Sequence, residues 1–428
     1  MSVAAQPELK TNRTGAGAEL PSMARKPDIL AINGGSSSIK FAIYAMSDPP
    51  ERRLHGSVER IGTSEAKFLV DDTSASRPES CDLGNVGQEQ AADFLIDWLD
   101  QHVGLASIDA FGHRVATGGV DYVDPQRVTD GLLDELRRIS AFAPEHLPFE
   151  IALIDRFRAH IPDRPHVVCF DTTFHRDIPA VARILPIPRR LHARGIARIG
   201  FHGLSYAYLM ETLSCEAGPE TVQGRVILAH LGNGASLAAV HRGKSIDTTM
   251  AFTPASGVPM SRRSGDLDPG LVGYLAHTEG MTAEAFNDMV NRQSGLLGVS
   301  ETSGDVRDLL AREADDARAG EALALFCYEV KKRIGAYAAA LGGLDTLVFA
   351  GGIGENAGAI RARICERLAF LGLELDDGKN ATGEPVISSD ASRVAVRVMR
   401  TNEEIMIART TARVLGLSRM TPTMPTKE

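Results

Sequence analysis

The chain has no Walker pattern, no His-Glu-x-x-His, no nucleophile elbow and no zinc-spaced Cys/His set. These absences exclude a P-loop enzyme, a zincin and an α/β-hydrolase. Cysteine is scarce: Cys81, Cys169, Cys215, Cys327 and Cys365 are widely scattered in 428 residues. An odd, scattered set predicts reduced thiols in a cytoplasmic protein and no disulfide framework. Positive charge is in deficit, 46 Lys and Arg against 55 Asp and Glu, for a net −9. That balance argues against a general nucleic-acid binder. Residues 1–26 have no apolar stretch to serve as a secretory leader, and they read as a disordered tail. Only Ile334–Gly354 imitates a membrane span, with Asp345 as its single charge. Gly342 and Gly343 interrupt it, so the expectation is a buried helix, a turn and a buried strand, with no membrane partner.

What is present reads as a globular protein of two or three domains, 43% hydrophobic and 24% charged. Strand-like apolar runs at Ile29–Ile32, Val167–Phe170, Arg225–Leu231 and Thr346–Ala350 alternate with helical patterns. The clearest helical patterns are Ala91–Gln101, Gly320–Leu341 and Glu403–Leu415, with Thr401 as the expected N-cap of the last. The fold class is therefore α/β. The stretch 63–86 is polar and reads as loop or weak hairpin. A faint repeat links "ILAINGGSSSIKFAIY" with "VILAHLGNGASLAAVHRGKSIDTT". Each reads as strand, Asn-Gly tip, strand, about 200 residues apart. Duplication and coincidence both fit that pattern.

Glycine and serine at such tips let backbone N–H groups approach a phosphate closely. Tight turns need the same residues for their own sake. "TLVFAGGIGENAGAIRAR" reads as strand, glycine-rich turn and helix. Gly352, Gly354 and Ala357, with Glu374 about 20 residues on, also fit a dinucleotide fingerprint, which leaves a nicotinamide-dependent oxidoreductase as an alternative. Polar residues stand in apolar or glycine-rich settings at Arg114, Asp171, His202, Arg262, Arg263, Asp266, Glu403 and Glu404. Each alone has a bland reading as a core partner or a solvated turn.

In order along the chain come "INGGSSSIKF", "GHRVATGG", "FAPEHLP", "FDTTFH", "GFHGLSY", "HLGNGAS", "SIDTTMAFTP", "PMSRRSGDLDP", "SGLLGVS", "AGGIGEN" and "TNEEIMIAR". This series closely resembles the acetate kinase (acetokinase) family from about Asp28 to Leu417. The resemblance implies two duplicated ribonuclease-H-like domains, of the actin-like ATPase kind, around a nucleotide cleft. It implies residues 27–172 plus 404–428 in the first domain and 173–403 in the second. It also implies a homodimer, and a reversible magnesium-dependent transfer (manganese being possible) from ATP to acetate, giving acetyl phosphate and ADP.

By the same resemblance, Asn33 and Glu403 fall at metal positions. Ser36, Ser38 and Lys40 fall at phosphate or nucleotide positions, as do His230, Leu231, Gly232, Asn233 and Gly234. Asp305, Val306 and Arg307, then Gly352, Ile353, Gly354, Glu355 and Asn356, complete the nucleotide set. Arg114 falls where the carboxylate is held, and Asp171, His202 and Arg263 at catalytic positions. Ala116, Glu145, His146, Phe201 and Pro254 border the acyl pocket.

The chain departs from the family pattern at several points. Ala116 and Thr117 replace Val and His, Glu145 and Leu147 replace Leu and Asn, and Leu204 and Tyr206 replace Thr and His. Ala116 enlarges the pocket, which favours a longer chain by about 1–2 kcal/mol. Glu145 would be unfavourable beside an apolar acyl group. Either it turns away to pair with an Arg, leaving an acetate site, or the pocket takes a longer or polar carboxylate. The acceptor is already ionised near neutral pH, so attack needs no general base. Asp171 is therefore expected to organise the metal, its waters or an Arg.

Overall fold

The computed structural model describes residues 25–35, 37–72 and 79–417. Ser36 and most of the N-terminal tail lie outside the described residues. Two sheets organise the chain. The first contains β1 (Asp28–Gly34), β2 (Ile39–Ala45), β3 (Glu51–Glu59), β4 (Ala66–Asp72), β5 (Glu79–Gly84), β6 (Ala110–Val115), β7 (Gln126–Arg127) and β8 (His166–Phe170). Their order is β5-β4-β3-β2-β1-β6-β8-β7. The second contains β9 (Arg225–Leu231), β10 (Ala235–His241), β11 (Lys244–Thr248), β12 (Thr346–Ala350) and β13 (Ala395–Val398), in the order β11-β10-β9-β12-β13.

The strand run β3-β2-β1-β6-β8 repeats the plan of β11-β10-β9-β12-β13. In each, the first two pairings are antiparallel and the last two parallel. The repeat in the sequence is thus a duplication of one sheet. Its physical basis is shared: β1, β8, β9 and β12 are apolar runs buried on both faces, as parallel central strands require. The segment 334–354 resolves as expected, with the helix Ala317–Leu341 ending at Gly342 before β12. No helix among the described residues is long and apolar enough to cross a membrane.

The polar stretch 63–86 forms β4 and β5, extending the first sheet as a hairpin. β5 is almost wholly exposed, which explains its weak apolar signal. The helix Glu403–Leu415 is capped by Asn402, not by the expected Thr401; Ile405 N–H donates to Asn402 Oδ1 at 3.0 Å. This helix buries Met406, Ile407, Ala408 and Ala412 against the first sheet. Gly112 on β6 permits the approach: a Cβ there would lie 2.3 Å from Thr411 Oγ1 and 2.6 Å from Ile407 Cγ2. The close packing sets the helix start, and with it Glu403, beside the tip of β1.

Candidate active site

Arg114 lies near the end of β6 and Asp171 directly after β8, on neighbouring parallel strands. Arg114 Nη2 donates to Asp171 Oδ2 at 2.9 Å. Its Nη1 donates to Glu150 Oε1 at 2.6 Å and to the Gly34 carbonyl at 3.2 Å. Burial works against the guanidinium's charge, but Asp171 and Glu150 outweigh it and raise its pKa, so it stays charged. Burial likewise pushes the Asp171 carboxyl up, while the Arg114 charge and the hydrogen bonds from Arg114 and the Leu204 N–H hold it below the usual range. Asp171 also accepts the backbone N–H of His202 at 3.2 Å and of Leu204 at 3.4 Å.

His202 caps the helix Gly203–Ala217 with φ of 59°, a left-handed conformation that costs energy for a non-glycine residue. Gly203 follows so closely on Asp171 that a Cβ would lie 2.2 Å from the Asp171 carbonyl oxygen. His202 Nδ1 meets Ser236 Oγ on β10 at 2.8 Å, and Ser236 also bonds the Tyr206 hydroxyl. With Tyr206 donating to Ser236 and Ser236 donating to His202 Nδ1, an order that gives each hydroxyl hydrogen an acceptor, the ring proton is on Nε2. Burial, then the neighbouring His230 at 4.4 Å between ring centroids, lowers the His202 pKa well below normal, so the ring is neutral. A Cβ on Gly234 would lie 3.2 Å from His202 Nε2 and 3.7 Å from Arg263 Nη1. His202, Arg263 and the second hairpin tip therefore meet at one point. Arg263 is anchored by the Pro254 carbonyl at 3.3 Å.

The first hairpin has Asn33 opposite Lys40. Gly35 N–H donates to the Ser38 carbonyl at 2.8 Å to close its tip. Asn33 Nδ2 donates to Glu403 Oε2 at 2.8 Å and to Glu404 Oε1 at 3.2 Å. Burial, then Asp171 and Glu404, pushes Glu403 up to about 7. Lys40, Thr401, Asn402 and Glu404 border a cavity of about 570 Å³. Among the described residues no group of three or more His, Cys, Asp or Glu could hold a metal. Magnesium needs no such group, because it takes one or two carboxylates with phosphate oxygens and water. The oxygen set at Asn33 and Glu403, where the Glu403 carboxyl is crowded by Asp171 and Glu404 and resists ionisation, fits a hard dication.

The second hairpin closes with Gly232 N–H donating to the Gly234 carbonyl at 3.0 Å, between Leu231 and Ala235. His230 is held through Ser205, whose hydroxyl is 2.8 Å from Nδ1. Ser261 joins the tip to the next candidate segment: its N–H donates to the Asn233 carbonyl at 3.2 Å and its hydroxyl to the Gly304 carbonyl at 2.8 Å. Asp305 there caps the helix Val306–Arg312 and pairs with Arg307 at 2.6 Å; Val306 is buried beneath them. Gly351 fits against Leu231 at φ of 75°, where a Cβ would lie 2.7 Å from the Leu231 carbonyl. The strand β12 runs straight into the short helix Gly351–Asn356, with Gly352, Ile353, Gly354 and Glu355 inside it. The Asn356 side chain closes back onto the Gly352 carbonyl at 2.9 Å.

Of the residues expected to border the acyl pocket, Ala116 and Phe201 are buried. Burial, then Arg114 and Arg263, lowers His146 to about 3, so it is a neutral wall and not a cation. Glu145 pairs with Arg292, which is the pairing that the first of the two alternatives called for. Glu150 was missed by the sequence reading. Its signal was available, a lone acid in the apolar run "LPFEIALI". Ser236 and Ser205 were missed as well, and small hydroxyls in strand and helix runs carry no comparable signal.

A family model described as the acetokinase family matches residues 28–409. The chain belongs to the acetokinase family. Among its relatives are a propionate kinase of Citrobacter rodentium, 43% identical over 90% of this chain and 96% of the relative, and an acetate kinase of Rhodopseudomonas palustris, 42% identical over 89% and 96%. Among solved structures, a propionate kinase from Francisella tularensis matches with TM-score 0.84 at 36% identity, over 91% of this chain and 100% of that one. The Porphyromonas gingivalis acetate kinase matches with TM-score 0.81 at 32% identity, over the same shares. Acetokinase membership makes the chain an enzyme that phosphorylates a carboxylate with ATP. It also overturns the nicotinamide alternative: Gly352 and Gly354 belong to an acetokinase helix, and Glu374 is exposed.

Proposed function

We propose that this acetokinase transfers the γ-phosphoryl group of ATP to acetate by direct in-line attack of the carboxylate oxygen. The carrying observation is Arg114, a guanidinium only 13% exposed between Glu150 and Asp171 with donors to spare. Arg114 binds the acceptor carboxylate and offsets its repulsion from the triphosphate. Neutral His202 donates from Nε2 and Arg263 from its guanidinium to the equatorial oxygens of the transferring group. Asp171 keeps Arg114 and the His202 backbone in place, and it has no proton to remove. Asn33 and Glu403 would hold magnesium, which neutralises charge on the phosphates when bound. The hairpin tips at residues 34–38 and 231–234 cradle the phosphates, and residues 305–307 and 352–356 hold the rest of the nucleotide. The first domain spans residues 27–172 and takes back the final helix; the second spans 173–403.

Propionate is the second reading. An Ala at position 116, smaller than the Val of the family pattern, favours a longer acyl chain, and several relatives are named propionate kinase. The Glu145–Arg292 pair keeps that carboxylate from an apolar chain, which disfavours polar acceptors. We infer a homodimer from the helix Gly270–Glu279, which buries none of its residues while Val272 and Tyr274 are exposed. Five free thiols suit a cytoplasmic setting. The test is ADP release with ATP, magnesium and a panel of acetate, propionate, butyrate and a hydroxy-acid. Activity with none of them refutes the transfer reading. A kcat/KM for propionate tenfold above that for acetate moves the assignment to propionate.

A further inference from the structure

Glu150 stands in the first turn of the helix Leu147–His160, between the core residues Phe149 and Ile151. Its side chain is 1% exposed. Both oxygens face donors: Oε1 accepts from Arg114 Nη1 at 2.6 Å, and Oε2 accepts the Ala116 N–H at 2.8 Å. One side chain thus grips the carboxylate anchor and the backbone of the acyl-pocket wall. Nη1 has two N–H groups, and Glu150 and the Gly34 carbonyl take them. Asp171 takes one N–H of Nη2. What remains for a substrate is Nε–H and the second N–H of Nη2.

We propose that Glu150 is a positioning residue that fixes which donors of Arg114 meet the substrate carboxylate and sets their distance from the Ala116 wall. The proposal rests on the reading that Arg114 binds the acceptor. Only an ionised carboxylate satisfies this seat, because a Gln would turn its NH2 against either the guanidinium or the Ala116 N–H. Purely structural buried pairs are replaceable by apolar side chains. Here both partners of Glu150 belong to the acceptor site, and its loss would free the anchor as well as the core. The charged and titratable groups around it are Arg114 on β6, Asp171 after β8 and His146 at the start of its own helix. Burial pushes the Glu150 carboxyl up to about 7, against the pull of Arg114 and the Ala116 N–H.

The test is steady-state kinetics of wild type, Glu150→Gln and Glu150→Asp, with thermal midpoints alongside. Glu150→Gln should raise the KM for the carboxylate at least tenfold, with the KM for ATP within twofold of wild type. Glu150→Asp, which keeps the charge on a shorter arm, should recover part of that loss. A carboxylate KM within twofold of wild type in Glu150→Gln overturns the proposal. So does a fall in kcat alone, with both KM values unchanged and a lowered midpoint. If Glu150→Gln does not fold, Glu150→Asp decides: a carboxylate KM equal to wild type overturns the proposal. Failure of wild type to form acyl phosphate from any carboxylate is a separate outcome. It removes the kinase reading, and this inference with it.

Discussion

Replacing Asp171 by Asn changes one atom and removes one charge. Asp171 accepts Arg114 at 2.9 Å, His202 N–H at 3.2 Å and Leu204 N–H at 3.4 Å, so every neighbour is a donor. An Asn must turn its NH2 toward at least one of them. The cheapest orientation gives up the long Leu204 bond and keeps a neutral acceptor for Arg114. The lost attraction across 2.9 Å is about 6 kcal/mol gross at an effective dielectric of about 20. Breaking a buried pair costs about 3–5 kcal/mol net, and Glu150 still holds Arg114, so the lower end applies. If the Arg114 and His202 donors that Asp171 positions lose a like amount, about 3 kcal/mol, at the transition state, kcat falls roughly a hundredfold. The assay is ADP release at saturating acetate, titrated with magnesium from pH 6 to 9. The expected result is that fall in kcat with a raised magnesium requirement. A kcat within tenfold of wild type refutes the charge argument. A normal magnesium response with a shifted pH profile refutes the organiser role and makes Asp171 a base.

Six histidines, His113, His146, His166, His175, His202 and His230, of which His113, His166 and His175 are buried, are held below their normal pKa, chiefly by burial. A histidine lowered in the folded state contributes stability that is complete above about 6.5 and is lost as pH falls toward its folded value. Urea midpoints should therefore drop steeply from pH 6.5 to about 4, and a flat profile there would contradict the neutral assignment. Ala116→Val should reduce kcat/KM for propionate relative to acetate by about tenfold, the worth of one or two methylene groups; an unchanged ratio would place the acyl chain elsewhere. Arg292→Ala breaks two rim pairs, with Glu145 and with Asp288, so acetate kinetics should stay within about twofold. A much larger change would mean that Glu145, once released, enters the pocket.

The legible parts of the fold were those with two-sided burial. β9, β12 and the helix Glu403–Leu415 begin and end where the sequence pattern does. β4 and β5 were hard to read because an edge hairpin facing solvent has no continuous apolar run. The repeated hairpins were visible as Asn-Gly tips, yet duplication became certain only when both sheets showed one order of strands. Motif residues of the site were visible as types. Their partners were not: Glu150 and Ser236 sit in runs that read as ordinary helix and strand.

The sequence by itself determined the α/β class, the two hairpins and the ordered motifs of an acetokinase, because local periodicity and burial are written residue by residue. Tertiary structure decided what each charge does. Asn33 meets Glu403 across 370 residues, Arg114 lies between Glu150 and Asp171, and Glu145 pairs with Arg292. Such pairings depend on which helix face packs on which strand, and no spacing along the chain records that.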